Sequence, residues 1–579
     1  MASTALREIV FLGITFLLFS LSEASTKYYT VQYVTLDESK GAQIHTADVT
    51  NFEDVPANWV AKAIFDNQIN KTGWSFLELQ SNGQATDEDQ VYAAGVLEGY
   101  VTSELIYEHW FNTMKGFCDG REKTCRRIQK YLDKNNQWIK ANIDSKEKKD
   151  PYWYQVKLFY IQLKGIKDGY NRGIKDASKH LKLNDLLWHN IQGDLEDLTT
   201  IFGPRVRSGG GRVTHEERWS RVLGSGSCSA LVKVLPGATD LLVGHDTWSS
   251  YQNMLRVEKL YILPLRRLAG SPARVPGVAM SFSSYPGIVT SGDDFYIMSS
   301  GLVTLETTIG VNNDSLWKFV RPSQVLETVR SMVANRLAVG GRAWAALFRD
   351  YNSGTYNNQW MVVDYARWRA AGPEARARRL PSGLLWVLEQ LPGLVVASDR
   401  TDALRARSYW PSYNAPSFQE VFNASGTQAL VDKFGDWFSY ERTPRALIFK
   451  RDQGRVRDLT SMLAMLEYND FRRDPLSRCA CQPPYSAENA IAARNDLNPA
   501  NGTYPFGALG HRSHGAIDTK ITSSVLASRM VMMARSGPVF NAHLPPFRWS
   551  TVDFGATTPH VGHPDLWTFP PVTYIWRWV

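Results

Sequence analysis

The segment Cys228-Ser-Ala-Leu-Val-Lys-Val-Leu235 is followed by Pro236-Gly-Ala-Thr239 and then by Asp240-Leu-Leu-Val-Gly-His245. The first and third segments are rich in apolar and β-branched residues, which is typical of buried strands, and the segment between them contains residues that form tight turns. Together the three segments predict a β-hairpin.

The register of this hairpin decides which side chains meet. If Leu235 faces Asp240 across the turn, antiparallel pairing brings Cys228 opposite roughly Thr247. Cys228 and His245 are then expected together at the open end of the hairpin. A thiol beside an imidazole can act as a nucleophile with its base. A buried strand cysteine near a core histidine would give the same pattern.

The sequence before the hairpin is mainly helical in its periodicity. Apolar residues at helical spacing predict two core-facing helices, the second of them behind an expected Asn184 cap. The two stripes are Trp153, Val156, Tyr160 and Leu163, and Leu187, Ile191, Leu195 and Leu198.

A polar, glycine-rich connector separates that helical region from the hairpin. It contains Ser208-Gly-Gly-Gly211 and Gly224-Ser-Gly-Ser227, which predict an exposed and cleavable segment. A phosphate-binding loop is disfavoured because the Gly-Lys-Ser/Thr ending is missing. We therefore divide the chain into a helix-rich fragment (25–204), a connector (205–227) and a nucleophile-bearing fragment (228–579).

The N-terminus predicts secretion. Arg7 precedes an apolar run from Ile9 to Leu21, and small residues follow it, so residues 1–24 are interpreted as a signal peptide. No later run reaches the roughly 18 apolar residues of a membrane helix, so a lumenal or extracellular protein without a transmembrane segment is expected. Four glycosylation sequons support the same compartment: Asn70, Asn313, Asn423 and Asn501.

Five cysteines leave one without a local partner. Cys118 with Cys125, and Cys479 with Cys481, are predicted disulfides, since local pairs are common in secreted chains. A zinc site is the alternative, but the chain has no CxxC or HExxH motif, so no metal or cofactor is predicted. Cys228 is the remaining thiol.

The chain is basic, with a net charge of +8 and a sequence pI near 9.0. This charge could favour anionic partners such as acidic lipid surfaces. The dense arginines between Arg367 and Arg379 are predicted to form a solvated surface loop. No nucleic-acid-binding motif accompanies the charge, so no nucleic-acid partner is expected.

The position of Cys228, at a strand start behind a flexible connector, fits an N-terminal nucleophile hydrolase. Its thiol would first attack the preceding carbonyl and cleave the chain between Ser227 and Cys228. The freed α-amine, with an ordinary pKa of about 7.7 to 8.0, could then serve as the base for its own thiol.

Many separated blocks of the sequence resemble the phospholipase B-like proteins. They include Val91–Tyr100, Cys228–Gly237, Trp248–Gln252, Ser281–Gly287, Asp293–Ile297, Tyr351–Trp360, Tyr409–Asn414, Pro444–Ala446, Arg451–Gln453, Tyr468–Asp470 and Asn495–Gly502. The resemblance implies an α+β fold, a four-layer αββα sandwich. It also implies maturation into two chains that stay associated, a glycosylated lysosomal protein, and sorting by a mannose-6-phosphate receptor. A homodimer would be unsurprising for a chain of this size.

The same fold occurs in cysteine amidohydrolases, and by analogy with them four further residues join Cys228 and His245 at the site. Asn414 is placed at the oxyanion and Arg445 as the supporting cation, with Trp248 and Thr308 as pocket residues. Asn414 could instead be only a turn former. Arg445, just before a predicted Ala446–Phe449 strand, could be a surface residue.

Several other polar residues attract attention. Asn357 and Asn358 are as ambiguous as Asn414. Asp246 is ranked below His245, and His511 and His514 are assigned to loop or structural use because no third ligand lies near them in sequence.

Three functions are therefore compared. The first is a phospholipase B-like hydrolase that removes acyl chains from phospholipids through a cysteine thioester, since no Gly-x-Ser-x-Gly elbow is present. The second is an amidase that uses the same site. The third is a catalytically silent lumenal binding protein.

Overall fold

The protein is described by a computed structural model that covers residues 29–37, 39–51, 54–204 and 228–579. The predicted signal peptide, the predicted connector and Ser227 lie outside these residues.

Among the described residues, the strands form two large sheets and one small two-stranded sheet, Phe547–Arg548 with Leu566–Trp567. In chain order they are β1 (Tyr29–Asp37), β2 (Gly41–Val49), β3 (Ala61–Asn67), β4 (Trp74–Ser81), β5 (Cys228–Val234), β6 (Leu241–Ser250), β7 (Arg256–Ile262), β8 (Ala279–Ser284), β9 (Phe295–Met298), β10 (Leu302–Thr308), β11 (Asn358–Asp364), β12 (Leu385–Leu391), β13 (Leu394–Asp399), β14 (Tyr409–Ser412), β15 (His514–Thr522), β16 (Met533–Ser536), β17 (Phe547–Arg548), β18 (Leu566–Trp567) and β19 (Val572–Thr573).

The helices lie mainly between residues 87 and 202 and again between 327 and 466. They are α1 (Ile69–Thr72), α2 (Asp87–Val101), α3 (Ser103–Thr113), α4 (Glu122–Lys146), α5 (Pro151–Gly173), α6 (Leu183–Asn190), α7 (Gln192–Phe202), α8 (Glu327–Leu337), α9 (Gly341–Arg349), α10 (Tyr365–Arg378), α11 (Thr401–Arg407), α12 (Gln419–Ala424), α13 (Thr427–Phe434), α14 (Pro444–Asp452), α15 (Leu459–Leu466) and α16 (Ser524–Ser528).

The larger sheet has eleven strands in the order β13-β12-β11-β10-β9-β8-β7-β4-β3-β1-β2. Its strands pair antiparallel except at β4 and β7, which run parallel with Trp74 opposite Arg256 and Gln80 opposite Ile262. Strands from before and after the predicted connector therefore belong to one hydrogen-bonded sheet.

The second sheet has six strands in the order β14-β5-β6-β15-β16-β19. The predicted hairpin is confirmed as β5 and β6, with Cys228 opposite Thr247. The Leu235 N–H donates to the Asp240 carbonyl at 2.9 Å across the turn. This sheet presents Cys228 at the start of a fully buried strand.

Alternate residues of the strands belong to different hydrophobic cores, as the period of two in a strand requires. Leu77 packs with the helical core over the larger sheet, whereas its neighbour Phe76 packs between the sheets with Val232. On the far face of the second sheet, Leu231 packs with Phe449 of α14. The layers are helix, sheet, sheet and helix, which confirms the α+β sandwich.

Helices α2 and α5 pack backbone to backbone on the larger sheet. Cβ atoms built on Gly99 and Gly169 would lie 2.1 Å from the Ile166 carbonyl oxygen and 2.0 Å from that of Val96. Only glycine allows the two helices to approach this closely.

Substituting Gly169→Ala is therefore expected to lower the free energy of unfolding by about 2 kcal/mol or more, because the overlap outweighs the roughly 1 kcal/mol gained in helix propensity. Urea denaturation measures the change. Gly454→Ala is the control, since its Cβ would meet nothing within 4 Å. Equal stability of the two variants would contradict the close packing.

Three local predictions about helices are wrong. The helix at Leu183 begins after Lys182, whose N–H is capped by Asp185, so Asn184 is not its cap. Residues 367–379 lie mostly in helix α10 instead of a loop. Residues 446–449 form part of helix α14, where Pro444 occupies the first turn, a position that suits proline.

Both predicted disulfides, Cys118–Cys125 and Cys479–Cys481, are present. Among the described residues, no helix is both long and apolar enough to cross a membrane. The sequon asparagines Asn70, Asn423 and Asn501 are exposed, and Asn313 is half-buried. Their glycosylation stays a prediction.

Candidate active site

Cys228 is buried at the start of β5, on the face that looks toward the larger sheet. Its pair partner Thr247 and, two residues earlier on β6, His245 share that face because side chains alternate along a strand. The thiol sulfur, a His245 ring nitrogen and a Glu306 carboxylate oxygen all lie within 4.8 Å of one another. The predicted meeting of thiol and imidazole is thus present in the structure.

The hydrogen bonds of His245 determine which ring nitrogen carries the proton. Nε2 lies 2.9 Å from the Glu306 backbone carbonyl oxygen, which can only accept, so Nε2 carries the proton. Nδ1 therefore keeps its lone pair, with the Thr247 hydroxyl 3.4 Å away. Burial lowers the pKa of His245 well below its ordinary value, which keeps the ring neutral.

Burial also controls the thiol. It raises the pKa of Cys228 well above its ordinary value, and the nearby Glu306 adds to that rise. Lys520 and the backbone N–H of Trp248 act in the opposite direction on the same pKa. A resting Cys228 is therefore a neutral thiol, and its conversion to a thiolate needs a base.

Glu306 is a site residue that the sequence did not reveal. The Tyr356 hydroxyl donates to its Oε1 at 3.1 Å, while Oε2 is buried without a hydrogen-bond partner among the described residues. Burial raises the pKa of Glu306 well above its ordinary value, so a neutral carboxyl is favoured. The only signal in the sequence is an acidic residue inside the apolar run of β10.

Helix α7, which precedes the predicted connector in sequence, helps to position the Glu306 carboxyl. Asp197 accepts from the Tyr356 backbone N–H at 3.0 Å and from the Asn357 side-chain amide at 3.1 Å. Tyr356 then holds Glu306 through its hydroxyl. The helix-rich part of the chain thus shapes a site whose thiol lies after the connector.

A buried ionic network lies beside the hairpin. Lys520 Nζ is 2.6 Å from Asp293 Oδ2 and 2.8 Å from Asp518 Oδ1. Arg256 contacts the same Asp293 and lies 2.8 Å from Asp518. The Thr247 hydroxyl donates to Asp293 at 2.7 Å, which ties the network to the residue paired with Cys228. Two cations and two carboxylates balance one another here.

Arg445 reaches the backbone of Cys228. Its Nη1 donates to the Cys228 carbonyl at 2.6 Å and lies 3.3 Å from the Ser229 hydroxyl. The guanidinium also lies over the Trp248 ring, 4.3 Å from its centroid. Burial lowers the pKa of Arg445 to about 10, so it remains a cation.

The side chain of Trp248 lies on the face of the second sheet that points away from the larger one. Its Nε1 donates to the Ile491 carbonyl at 3.1 Å, and its ring packs with Phe471 and Ala516. Only its backbone N–H approaches the thiol. A role for its side chain in substrate binding stays a prediction.

Asn414 and Thr308 lie close together across the two sheets. Strand β14 pairs with β5 with Ser412 opposite Ala230, so continuing the register brings Asn414 level with Cys228. Asn414 has the left-handed φ of 65° and donates from Nδ2 to the Thr308 carbonyl at 2.8 Å. The amide thus has a structural partner in addition to any role at an oxyanion.

The remaining candidates fall outside this cluster. Asp246 points to the opposite face of the sheet from His245, and burial raises its pKa well above the ordinary value. His511 Nε2 lies 2.9 Å from Asp553, whereas His514 Nδ1 lies 3.2 Å from the Asn495 side chain. The two histidines therefore have separate structural partners.

Comparison with known proteins gives consistent matches over most of the chain. The family model described as Phospholipase B matches residues 61–574. The Homo sapiens protein named "Putative phospholipase B-like 2" is 50% identical over 525 residues, which are 89% of this chain and 86% of that protein. "Phospholipase B-like protein B" of Dictyostelium discoideum is 35% identical over 516 residues, or 89% of this chain and 85% of its own length.

Proposed function

The chain belongs to the phospholipase B family, and from that membership we propose that it hydrolyses acyl esters of phospholipids with Cys228 as the nucleophile. The observation that carries the proposal is the cluster of the Cys228 sulfur, a His245 nitrogen and a Glu306 oxygen within 4.8 Å. Nucleophile, proton acceptor and neutral acid are the three groups that acyl transfer needs.

Maturation comes first in the proposed scheme. The Cys228 thiol attacks the carbonyl carbon of Ser227, and the peptide C–N bond breaks as its nitrogen takes up the thiol proton, which gives a thioester between Ser227 and Cys228. Water then hydrolyses this thioester, which leaves a carboxylate on Ser227 and a free thiol and α-amine on Cys228 as the new N-terminus. Arg445 holds the Cys228 carbonyl at 2.6 Å and fixes the strand while the bond behind it is cut. The first fragment stays bound because its strands belong to the larger sheet.

Acyl transfer then follows at the same sulfur. His245 Nδ1 or the new α-amine accepts the thiol proton while sulfur bonds to the ester carbonyl carbon. The tetrahedral intermediate expels the glycerol oxygen, which takes a proton from Glu306 or from the protonated base. Water then hydrolyses the thioester, releasing the fatty acid and restoring the thiol.

Asn414 is proposed to donate to the oxyanion of that intermediate. Asn414→Gly keeps the left-handed backbone, because glycine adopts positive φ freely, but removes the amide. We expect kcat to fall by about 10²- to 10³-fold with little change in KM. Steady-state kinetics measures this.

Ser408→Gly is the matched control, since Ser408 also has a left-handed φ, of 59°, at the end of α11. It should retain full kcat. If Asn414→Gly lost thermal stability but kept kcat, Asn414 would be a turn former that only binds the Thr308 carbonyl.

An acidic working compartment, the lysosome, is part of the proposal. At about pH 5 an unperturbed histidine is mostly protonated, whereas burial lowers the pKa of His245 and keeps its Nδ1 available as an acceptor. The raised pKa of Glu306 keeps its proton there. We therefore expect hydrolysis to persist at that pH. A pH–rate profile with activity only above about pH 8 would contradict this assignment.

The amidase remains the second candidate because an amine leaving group depends on protonation, which the neutral Glu306 could supply. Acyl esters and matched acyl amides assayed with the processed protein decide between the two. Turnover of phospholipid esters supports the first proposal, and turnover of amides alone supports the second. A processed protein that turns over neither class would be a binding protein. Sorting by a mannose-6-phosphate receptor through the sequon glycans is proposed on the resemblance alone, and homodimer formation on the size of the chain.

A further inference from the structure

We propose that Cys228, His245 and Glu306 also form a zinc-binding site, and that zinc bound there blocks the nucleophile reversibly. Thiolate, imidazole and carboxylate are the three side-chain types that bind zinc in proteins. These three side chains are buried, and their ligand atoms lie within 4.8 Å of one another.

The hydrogen bonds around the cluster favour a metal ligand set. Zinc-bound histidines usually donate their other ring N–H to a carbonyl or carboxylate, which fixes the ring. His245 does this at 2.9 Å from the Glu306 backbone oxygen, so the lone pair of Nδ1, which lies 3.4 Å from the Thr247 hydroxyl, is the one that can coordinate. Glu306 Oε2 has no hydrogen-bond partner among the described residues, so a metal would satisfy a buried oxygen.

The charges around the cluster allow a zinc dication to be buried there. Lys520 and Arg256 are already matched by Asp293 and Asp518. A thiolate and the Glu306 carboxylate would add two negative charges, which a zinc ion neutralises. The thiol and the carboxyl lose their protons to solvent as the metal bonds form.

The geometry requires only a small contraction. Zinc bonds of about 2.0 to 2.3 Å to oxygen, nitrogen and sulfur place ligand atoms roughly 3.5 Å apart. The separations in the cluster reach at most 4.8 Å, a difference that side-chain rotation can close. Three protein ligands leave the fourth position of a tetrahedral site for water.

The spacing of residues in the sequence does not reveal this set of three ligands. The three ligands come from β5, β6 and β10, and the last belongs to the other sheet. The absence of HExxH and CxxC motifs therefore excluded only zinc sites with local ligands.

Cadmium binding to the full protein under non-reducing conditions tests the site directly. Four of the five cysteines are in disulfides, so an ultraviolet thiolate-to-cadmium charge-transfer band reports Cys228 alone. We expect one equivalent to bind, competed by zinc and reversed by a chelator. Glu306→Gln should weaken binding at least about tenfold, and Cys228→Ser should abolish the band.

Asp246→Asn is the matched control, because it changes a buried carboxyl next to His245 on the opposite face of the sheet. It should bind cadmium as the wild type does. No band in a wild-type protein with a titratable thiol would overturn the proposal, as would a band unchanged in Glu306→Gln. Circular dichroism establishes that each variant is folded.

The inhibitory effect rests on the proposed function, whereas binding does not. Zinc should stop both turnover and reaction of Cys228 with a thiol reagent, and chelation should restore both. If metal binds but Cys228 still reacts with the thiol reagent as fast as in the metal-free protein, the proposed block of the nucleophile is wrong. A metal-free protein that binds cadmium but hydrolyses no acyl substrate would instead overturn the proposed function and leave the site intact.

Discussion

Replacing Cys228 with alanine is expected to abolish both chain cleavage and hydrolysis. Loss of a nucleophile costs at least about 10⁴-fold in kcat, and without the sulfur the bond before residue 228 should persist. Gel analysis should show one chain of full length, and N-terminal sequencing should find no fragment that starts at residue 228. Acyl-ester hydrolysis by the same sample should fall to background.

Asp246→Asn is again the appropriate control. The raised pKa of Asp246 favours its neutral form, and asparagine matches that form in shape. This variant should be cleaved and active like the wild type. Cleavage or turnover in Cys228→Ala equal to that of the wild type would exclude the cysteine mechanism.

Replacing Lys520 with methionine is expected to lower the free energy of unfolding by about 3 to 5 kcal/mol. The substitution leaves Asp293 and Asp518 facing Arg256 alone, and breaking a buried ion pair leaves an uncompensated charge. Urea denaturation, followed by tryptophan fluorescence, measures the effect.

Two further variants separate charge balance from packing. Lys520→Met combined with Asp293→Asn removes one charge of each sign and should recover part of the stability. Lys140→Ala breaks an exposed pair with Asp144 and should cost less than about 0.5 kcal/mol. If the double variant were no more stable than Lys520→Met, charge imbalance would not explain the loss.

The local parts of the site could be predicted from sequence, and the long-range parts could not. The pairing of Cys228 with Thr247 follows from turn chemistry and strand period, which act over a few residues. Glu306 and Lys520 are brought to the hairpin by β10 and β15, and no local pattern encodes that pairing. The only sequence signal for Glu306 and Lys520 is that each is a charged residue inside a segment that forms a strand.

The errors about helices have a similar origin. Ala446–Phe449 is apolar enough for a strand, but Thr443 and Pro444 before it are typical of a helix start. Arg367–Arg379 was predicted to be a loop because it is polar, although Asp364 caps the helix that contains it. In both cases the residues at the start of the helix predict it better than the composition of the segment does.

The parallel pairing of β4 with β7 has a consequence for the refolding and the kinetic stability of the mature protein. After the proposed cut, eleven strands of one sheet are divided between two polypeptides. Folding of the precursor is unimolecular, whereas reassembly of the cut pair requires two chains to meet, so recovery after denaturation should depend on concentration. The processed molecule would then be protected mainly by slow unfolding, as a kinetically stable product of a precursor that folded once.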